Sequence, residues 1–457
     1  MKKSNLSDVF IKAKSDVSKQ INSSAGKISE SYSDHNKRSI AKSVGTINND
    51  SYQARSDSLV LESATTFDSL PVLYDDVKTI FRNIFNKHDF MSETIGCHPD
   101  FIHLNNSEVL ENGYTVTMFF DIAGSTKLGK TYDPDVVFNI KNTIIKYVIE
   151  IIQSFDGHVH RIMGDAVMAF FRSEAKAELC KKIDSVIDAL NSGTYILEFM
   201  EQVITPLLGG MGAEDPIGVR IGIDYADDND IIWGNYGVSG AFEVTATSYY
   251  VDVAAKLQQA ARTNKIMIGD NLKKILGFGD DYLSTKTKYK TNEKGVLEAV
   301  PLRFVKPNYS VRGERINYRQ YEFDNIKYFS FLPFGLKETL IDVQLHASKN
   351  GTVKVYYCPC AISLDKGMSL LFKVKYPYSY GKSLTLISEK KNTGPEAEAR
   401  NATSIVVKSK MMDLYQGEYH GEISESTEYH GLHHMKIKIK DQDNKIIDET
   451  IFSIFIS

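Results

Sequence analysis

Asp121 closes the apolar run Thr115-Val-Thr-Met-Phe-Phe-Asp121 and stands directly before Ile122-Ala-Gly124-Ser125-Thr126. A carboxylate at the end of a buried strand can hold a hard cation. The backbone N–H groups of a Gly-Ser-Thr helix start, here Gly124, Ser125 and Thr126, can cradle phosphate oxygens beside it. Asp165 follows in Met163-Gly164-Asp165, between the short apolar runs Val159–Ile162 and Ala166–Phe171, which read as a hairpin. Its tip can face Asp121 across paired strands. Two carboxylates sharing two divalent ions are the minimum set for in-line displacement at phosphorus. Singly, each aspartate is also an ordinary cap or turn residue; it is their pairing in this context that points to phosphoryl chemistry.

Other motifs carry less. Gly209-Gly210 and Gly212 suggest a phosphate loop, but no Gly-Lys-Ser/Thr follows, which excludes a P-loop. The aspartates of the run 224–230 lack the terminal Glu of an EF-hand and read as a solvated turn. His420, His430, His433 and His434 have no Cys or carboxylate partner at ligand spacing and are placed on hairpin surfaces. His158 and His160, flanking the Gly-Asp hairpin, are read as local structure. Cys97, Cys180, Cys358 and Cys360 are too scattered for a disulfide framework and read as core cysteines of a reducing compartment.

The elements that must position Asp121 and Asp165 can be traced along the chain. Asp133-Pro134 supplies an N-cap and a first-turn proline. Val137, Ile140, Ile144, Val148 and Ile151 then mark one face of a helix that stops at Asp156-Gly157. A helix is expected around 176–191, a strand at Val219–Ile223 and a helix from Tyr250 to Arg262. After about residue 310 helical spacing fades, and short runs such as Thr352–Tyr357, Leu370–Tyr376 and Met435–Lys440 read as strands. The fold class is α+β. Three segments are expected: a basic, partly helical arm over 1–70, a catalytic domain over 71–310 with its core at about 110–305, and a β-sandwich-like domain over 320–457.

Composition agrees with a globular chain. The 457 residues are 42% hydrophobic and 25% charged, which allows a sizeable core. With 54 Lys and Arg against 58 Asp and Glu, the net charge of −4 gives no global pull toward nucleic acid. Residues 1–55 hold ten Lys/Arg against five Asp/Glu. Within them Leu6, Val9, Phe10, Ala13, Val17 and Ile21 recur at helical spacing, which suits an arm packed on the main domain or on a second subunit. No run has the roughly 18 apolar residues of a transmembrane helix, and no apolar core follows Met1-Lys2-Lys3. A cytoplasmic protein is expected.

The block Phe119-Phe-Asp121-Ile-Ala-Gly-Ser-Thr126 with the later Gly164-Asp165 hairpin resembles the class III nucleotidyl cyclases, the adenylate and guanylate cyclase family, over roughly residues 110–305. The resemblance implies a ferredoxin-like catalytic domain and two Mg²⁺ or Mn²⁺ ions held by Asp121, Asp165 and the Ile122 carbonyl. It also implies attack of a ribose 3′-hydroxyl on the α-phosphorus with loss of pyrophosphate, and a homodimer with sites at the interface. The family's base-reading lysine matches Arg161, and its partner position falls at Thr245. The transition-state Asn and Arg match Asp252 and Lys256. Lys256 can neutralise charge on the phosphate as a point charge, and Asp252, four residues earlier, can orient it.

Together with the β-rich tail, these departures resemble the pyrimidine cyclases of bacterial Pycsar anti-phage systems, whose product acts on a downstream cyclic-nucleotide effector. The tail resembles the sensor domain found behind many defence nucleotidyltransferases and cyclases. The parallel N–H groups of Arg161 match cytosine O2 and N3, whereas uracil N3 carries a hydrogen. Thr245 can accept from the cytosine amino group. CTP is therefore expected ahead of UTP. A catalytically silent nucleotide-binding module and a purine cyclase are the alternatives.

Overall fold

In the computed structural model the strand Thr115–Ala123 lies inside a seven-stranded sheet. The structure describes residues 6–10, 14, 15, 18, 75–87, 94–172, 179–209, 217–238, 240–291, 295–350, 353–378 and 383–457. Strand order across the sheet is 157–163, 166–171, 115–123, 218–226, 265–269, 320–323 and 283–284. All neighbours are antiparallel except 218–226 with 265–269. From Thr115 to Ala226 the long elements run strand, helix, strand, strand, helix, strand, which is the ferredoxin-like order.

Alternation along Thr115–Ala123 decides what each face meets. Val116, Met118, Phe120 and Ile122 join a core with Ile140, Ile144, Val148 and Ile151 of the helix Pro134–Ser154. Phe119 points the other way, against Phe170, Trp233 and Val244. Asp133 holds the N-cap position in extended conformation with Pro134 next, although its side chain makes no capping bond. On the strand Lys265–Gly269, Ile266 and Ile268 join the first core. Met267 meets Val253 and Leu257 of the helix Tyr249–Ala260, on the opposite face.

That helix crosses the sheet over Gly222. A Cβ there would lie 2.2 Å from the Gln258 nitrogen and 2.3 Å from the Ala254 oxygen, both backbone atoms that no rotamer change can move. Gly222→Ala is expected to cost about 1–3 kcal/mol or more by overpacking. Urea titration should show a lower midpoint at unchanged slope, and a wild-type midpoint would overturn this account of the helix–sheet contact.

Two expectations change. The helix expected near 176–191 runs Leu179–Phe199 and continues to Gly209 through a π-turn at Met200–Ile204. It is buried on nearly every side from Ile183 to Met200, polar Ser185, Asp188, Asn191, Ser192 and Thr194 included, and Asn191-Ser192-Gly193, poor helix formers, run through its middle. Gly210 and Gly212 lie outside the described residues. The strand Gln320–Phe323, expected in the tail, pairs with Lys265–Gly269 and belongs to the seven-stranded sheet. Its apolar residues look the same whichever sheet receives them.

The remaining tail forms two five-stranded sheets, one centred on Ser369–Pro377 and the other on Gly431–Lys440. Leu345, Phe372, Ile437 and Phe452 are among the residues packed between them, as in a sandwich. This sandwich is fused to the first half. Cys360, Ala361, Leu432 and Phe455 share one core with Ile183, Val186 and Leu190. Asn191 Nδ2 donates to the Cys360 oxygen at 2.9 Å, and the Ser363 nitrogen and hydroxyl both donate to Asp184 Oδ1 at 2.6 and 2.8 Å.

In the arm, Leu6, Val9 and Phe10 are buried, with Phe10 5.4 Å from Phe199 between ring centroids. Ala13, Val17 and Ile21 lie outside the described residues. No helix among the described residues is long and apolar enough to cross a membrane.

Candidate active site

Strand register brings the two aspartates together. Asp121 pairs across the sheet with Ala166, the residue after Asp165, and the Ile122 nitrogen donates to the Asp165 carbonyl at 3.3 Å. The side chains of Asp121 and Asp165 are 18% and 24% exposed, accessible from one edge yet outside the core. Each has a cation beside it. The Arg220 guanidinium donates to Asp121 Oδ2, with Nε at 3.2 Å, and Lys141 Nζ stands 3.5 Å from Asp165 Oδ2. Arg220 is the register partner of Asp121 on the neighbouring strand, and Lys141 comes from the helix Pro134–Ser154.

Gly124 follows with φ +83°, the left-handed conformation that suits glycine, and opens the short helix Ser125–Thr131. Ser125 is buried, while Gly124 and Thr126 are exposed. The oxygen donors here are two carboxylates and the strand-end carbonyl of Ile122, which suits a hard divalent ion. Among the described residues no group of three or more His, Cys, Asp or Glu converges on one point.

Arg161 projects from the strand Gly157–Met163 of the same hairpin. Its Nε donates to Glu243 Oε2 at 2.7 Å, and its Nη2 pairs with Glu243 Oε1. Glu243 lies two residues before the buried Thr245 on the strand Ala241–Thr247, which forms a hairpin with Ile232–Val238. Trp233, at the base of that hairpin, is buried against Phe101 and Phe170. Lys256, on the helix Tyr249–Ala260, has its ammonium 5.4 Å from the Tyr309 ring centroid. Asp252 is exposed one turn earlier, with no ion pair to Lys256 among the described residues.

The expected residues thus fall into two groups within one chain. Asp121, Ile122, Asp165 and the Gly124–Thr126 turn form one, joined by strand register; Arg161 with Thr245, and Lys256 with Asp252, have their contacts elsewhere. Among the described residues no hydrogen bond or ion pair joins Asp121 or Asp165 to Arg161, Thr245 or Lys256.

Sequence reasoning missed Arg220, Lys141 and Glu243. Arg220 becomes visible only once strand register is known. Glu243 belongs to a hairpin whose glycines, Gly234, Gly237 and Gly240, break the alternation that marks strands.

The other polar clusters are structural. His158 and His160 are buried and share the Gly96 carbonyl, at 3.0 and 2.8 Å, which ties the Arg161 strand to the loop before it. Burial pushes the His160 imidazole down to about 4. The aspartate run 224–230 is only partly solvated: Asp224 is buried, pushed up to about 8 by loss of hydration, and accepts from the Tyr318 hydroxyl at 2.8 Å. Asp227 and Asp228 hold Lys182. His433 and His434, expected on hairpin surfaces, are buried, His433 within the sandwich against Thr393 and Tyr429 and His434 at the seam with the first half. Burial holds them down to about 4 and about 3, and His434 bonds the Tyr282 hydroxyl.

Comparison with known proteins adds to this geometry. Residues 110–300 match the family described as the adenylate and guanylate cyclase catalytic domain. Residues 317–457 match the adenylyl/guanylyl and SMODS C-terminal sensor domain. A cytidylate cyclase of Escherichia coli is 41% identical over 395 residues, covering 84% of this chain and 83% of that protein. A cytidylate cyclase of Staphylococcus aureus is 33% identical, covering 82% of this chain and 86% of its own. A uridylate cyclase of Burkholderia cepacia is 24% identical over 178 residues, covering 38% of this chain and 77% of its own.

Proposed function

The chain belongs to the family of the cytidylate cyclases, and from that premise we propose that it converts CTP, with UTP as the weaker substrate, to the 3′,5′-cyclic monophosphate and pyrophosphate. The observation that carries the reading is the placement of Asp121 and Asp165 at adjoining strand ends, with Arg161 four residues before Asp165 on the same hairpin. In the proposed reaction the ribose 3′-hydroxyl loses its proton to water as its oxygen bonds to the α-phosphorus, and the bond from the α-phosphorus to the bridging oxygen breaks, releasing pyrophosphate.

Asp121, Asp165 and the Ile122 carbonyl would hold two divalent cations, Mn²⁺ or Mg²⁺. When bound, the cations supply Lewis-acid stabilisation of the attacking and leaving oxygens. Everything else falls to the chain itself. The N–H groups of Gly124, Ser125 and Thr126 meet phosphate oxygens. Lys256 offsets charge developing on the transferring phosphoryl group. Asp252 contributes a second charge on the exposed side of that helix. Arg161 and Thr245 read the base.

No hydrogen bond or ion pair joins the two groups within one chain among the described residues, and a homodimer would complete each site across its interface. Exposed apolar side chains at the relevant hairpins, Ile162, Met163, Tyr236 and Phe242, suit such a contact. As part of this reading, the cyclic nucleotide serves as a second messenger to a separate effector in antiviral defence.

The purified chain, incubated with each of the four ribonucleoside triphosphates and Mn²⁺, should yield a cyclic pyrimidine nucleotide, with CTP consumed fastest. Mass spectrometry of the products decides the outcome. Cyclic AMP or cyclic GMP as the main product would overturn the base assignment, and no cyclic product from any triphosphate would overturn the activity.

A further inference from the structure

Arg161 and Glu243 form a two-point ion pair on the strand that leads into the Asp165 turn, with their side chains 37% and 41% exposed. Pairs so open to water contribute little to stability. Glu243 also occupies the face of its strand that carries Thr245, since alternate residues share a face. On these grounds we propose that Glu243 is a positioning residue that sets base selectivity through Arg161. The proposal rests on the pyrimidine reading above.

A guanidinium has five N–H groups. Glu243 engages the side edge, Nε and one hydrogen of Nη2. What remains is the end fork, Nη1 with the second hydrogen of Nη2, and among the described residues Arg161 makes no other hydrogen bond or ion pair. A carboxylate gripping the side edge fixes the plane and direction of that fork. An unheld arginine on a surface strand would sample many rotamers, and a partner that selects one of them makes each later bond less costly to form.

The edge that a fixed fork fits carries two adjacent acceptors, which cytosine offers at O2 and N3. Uracil opposes an N–H with its own N3–H. The carboxylate adds a second discrimination. An anion near the base favours the amino group at cytosine C4 and disfavours the carbonyl oxygen that uracil has there. Arg161 alone separates the bases at one atom; Arg161 held by Glu243 separates them at two.

The test is steady-state kinetics on the full chain with CTP and UTP for wild type, Glu243→Gln, Glu243→Asp, Arg161→Ala and the Glu243→Gln/Arg161→Ala double variant. For Glu243→Gln, kcat/KM for CTP is expected to fall about 10–100-fold, mainly through KM, while that for UTP falls less than about threefold. Glu243→Asp, which keeps the charge on a shorter arm, should retain an intermediate selectivity ratio. In the Arg161→Ala background, adding Glu243→Gln should leave the ratio unchanged, because a residue acting through another has nothing left to act on.

Equal losses for both substrates in Glu243→Gln, or independent additive losses in the double variant, would overturn the proposal. Should Glu243→Gln lack a cooperative melt, Glu243→Asp alone decides, and a wild-type ratio there also overturns it. Those results leave the cyclase reading standing if the wild type turns over CTP. A wild type that turns over neither pyrimidine triphosphate would remove both.

Discussion

Asp121→Ala and Asp165→Ala are each expected to abolish cyclisation without unfolding the chain. Asp121 lies near the end of its strand and Asp165 in the adjoining turn, both partly exposed and in none of the apolar clusters, so truncation removes charge and not core volume. The cations left behind, Arg220 and Lys141, are themselves partly solvated, which limits the cost of leaving them unpaired. Catalysis has no such tolerance. Loss of one of two metal-holding carboxylates removes charge stabilisation made in the transition state, worth several kcal/mol, so turnover should drop by about 10³-fold or more. Product formation with saturating Mn²⁺, measured beside a thermal melt, checks both halves of the expectation. Near-wild-type turnover by either variant would overturn the two-carboxylate site.

Mixing an inactive Asp121→Ala chain with an inactive Lys256→Ala chain should restore activity. In the mixed dimer one site inherits both lesions, while the other combines an intact carboxylate pair from one chain with an intact Lys256 from its partner. Random pairing makes half the dimers mixed, so about a quarter of wild-type activity is expected. With a loss of about 10³ for Asp121→Ala and about 10²–10³ for removal of the phosphate-facing charge at Lys256, the restoration should stand about tens to a few hundredfold above either parent. Confirmed mixed dimers without activity would mean that each site is built within a single chain.

Much of this was legible from residue types. The strand Thr115–Ala123 showed itself by a run of apolar residues ending in a carboxylate, and the Gly164-Asp165 hairpin by two runs around a turn. Both are local patterns that propensity and periodicity report directly. What stayed hidden depends on register or burial. Arg220 is an unremarkable arginine until Asp121 is set opposite it. Glu243 sits in a glycine-interrupted hairpin with no clean alternation. His433 and His434 are neighbours on Gly431–Lys440 and face opposite sides of the strand, His433 toward Thr393 and Tyr429 of the sandwich and His434 toward Tyr282, 152 residues away in sequence, and sequence alone shows neither cover. The length of Leu179–Phe199 was masked because Asn191-Ser192-Gly193, poor helix formers, stand in its middle and are held helical by burial.

That covered helix has a consequence for how the protein is made. Synthesis runs from the amino end, so Leu179–Phe199 leaves the ribosome long before Cys360, Leu432 and Phe455, which close over one flank of it. In the interval the nascent chain carries the carboxylate pair and the strands around it, with an apolar flank still open to water and to chaperones. A message cut short anywhere in the sandwich would leave that flank permanently bare. Translation to the last strand thus acts as a completeness check on the enzyme: a chain that lacks its tail lacks part of the wall that holds its catalytic sheet together.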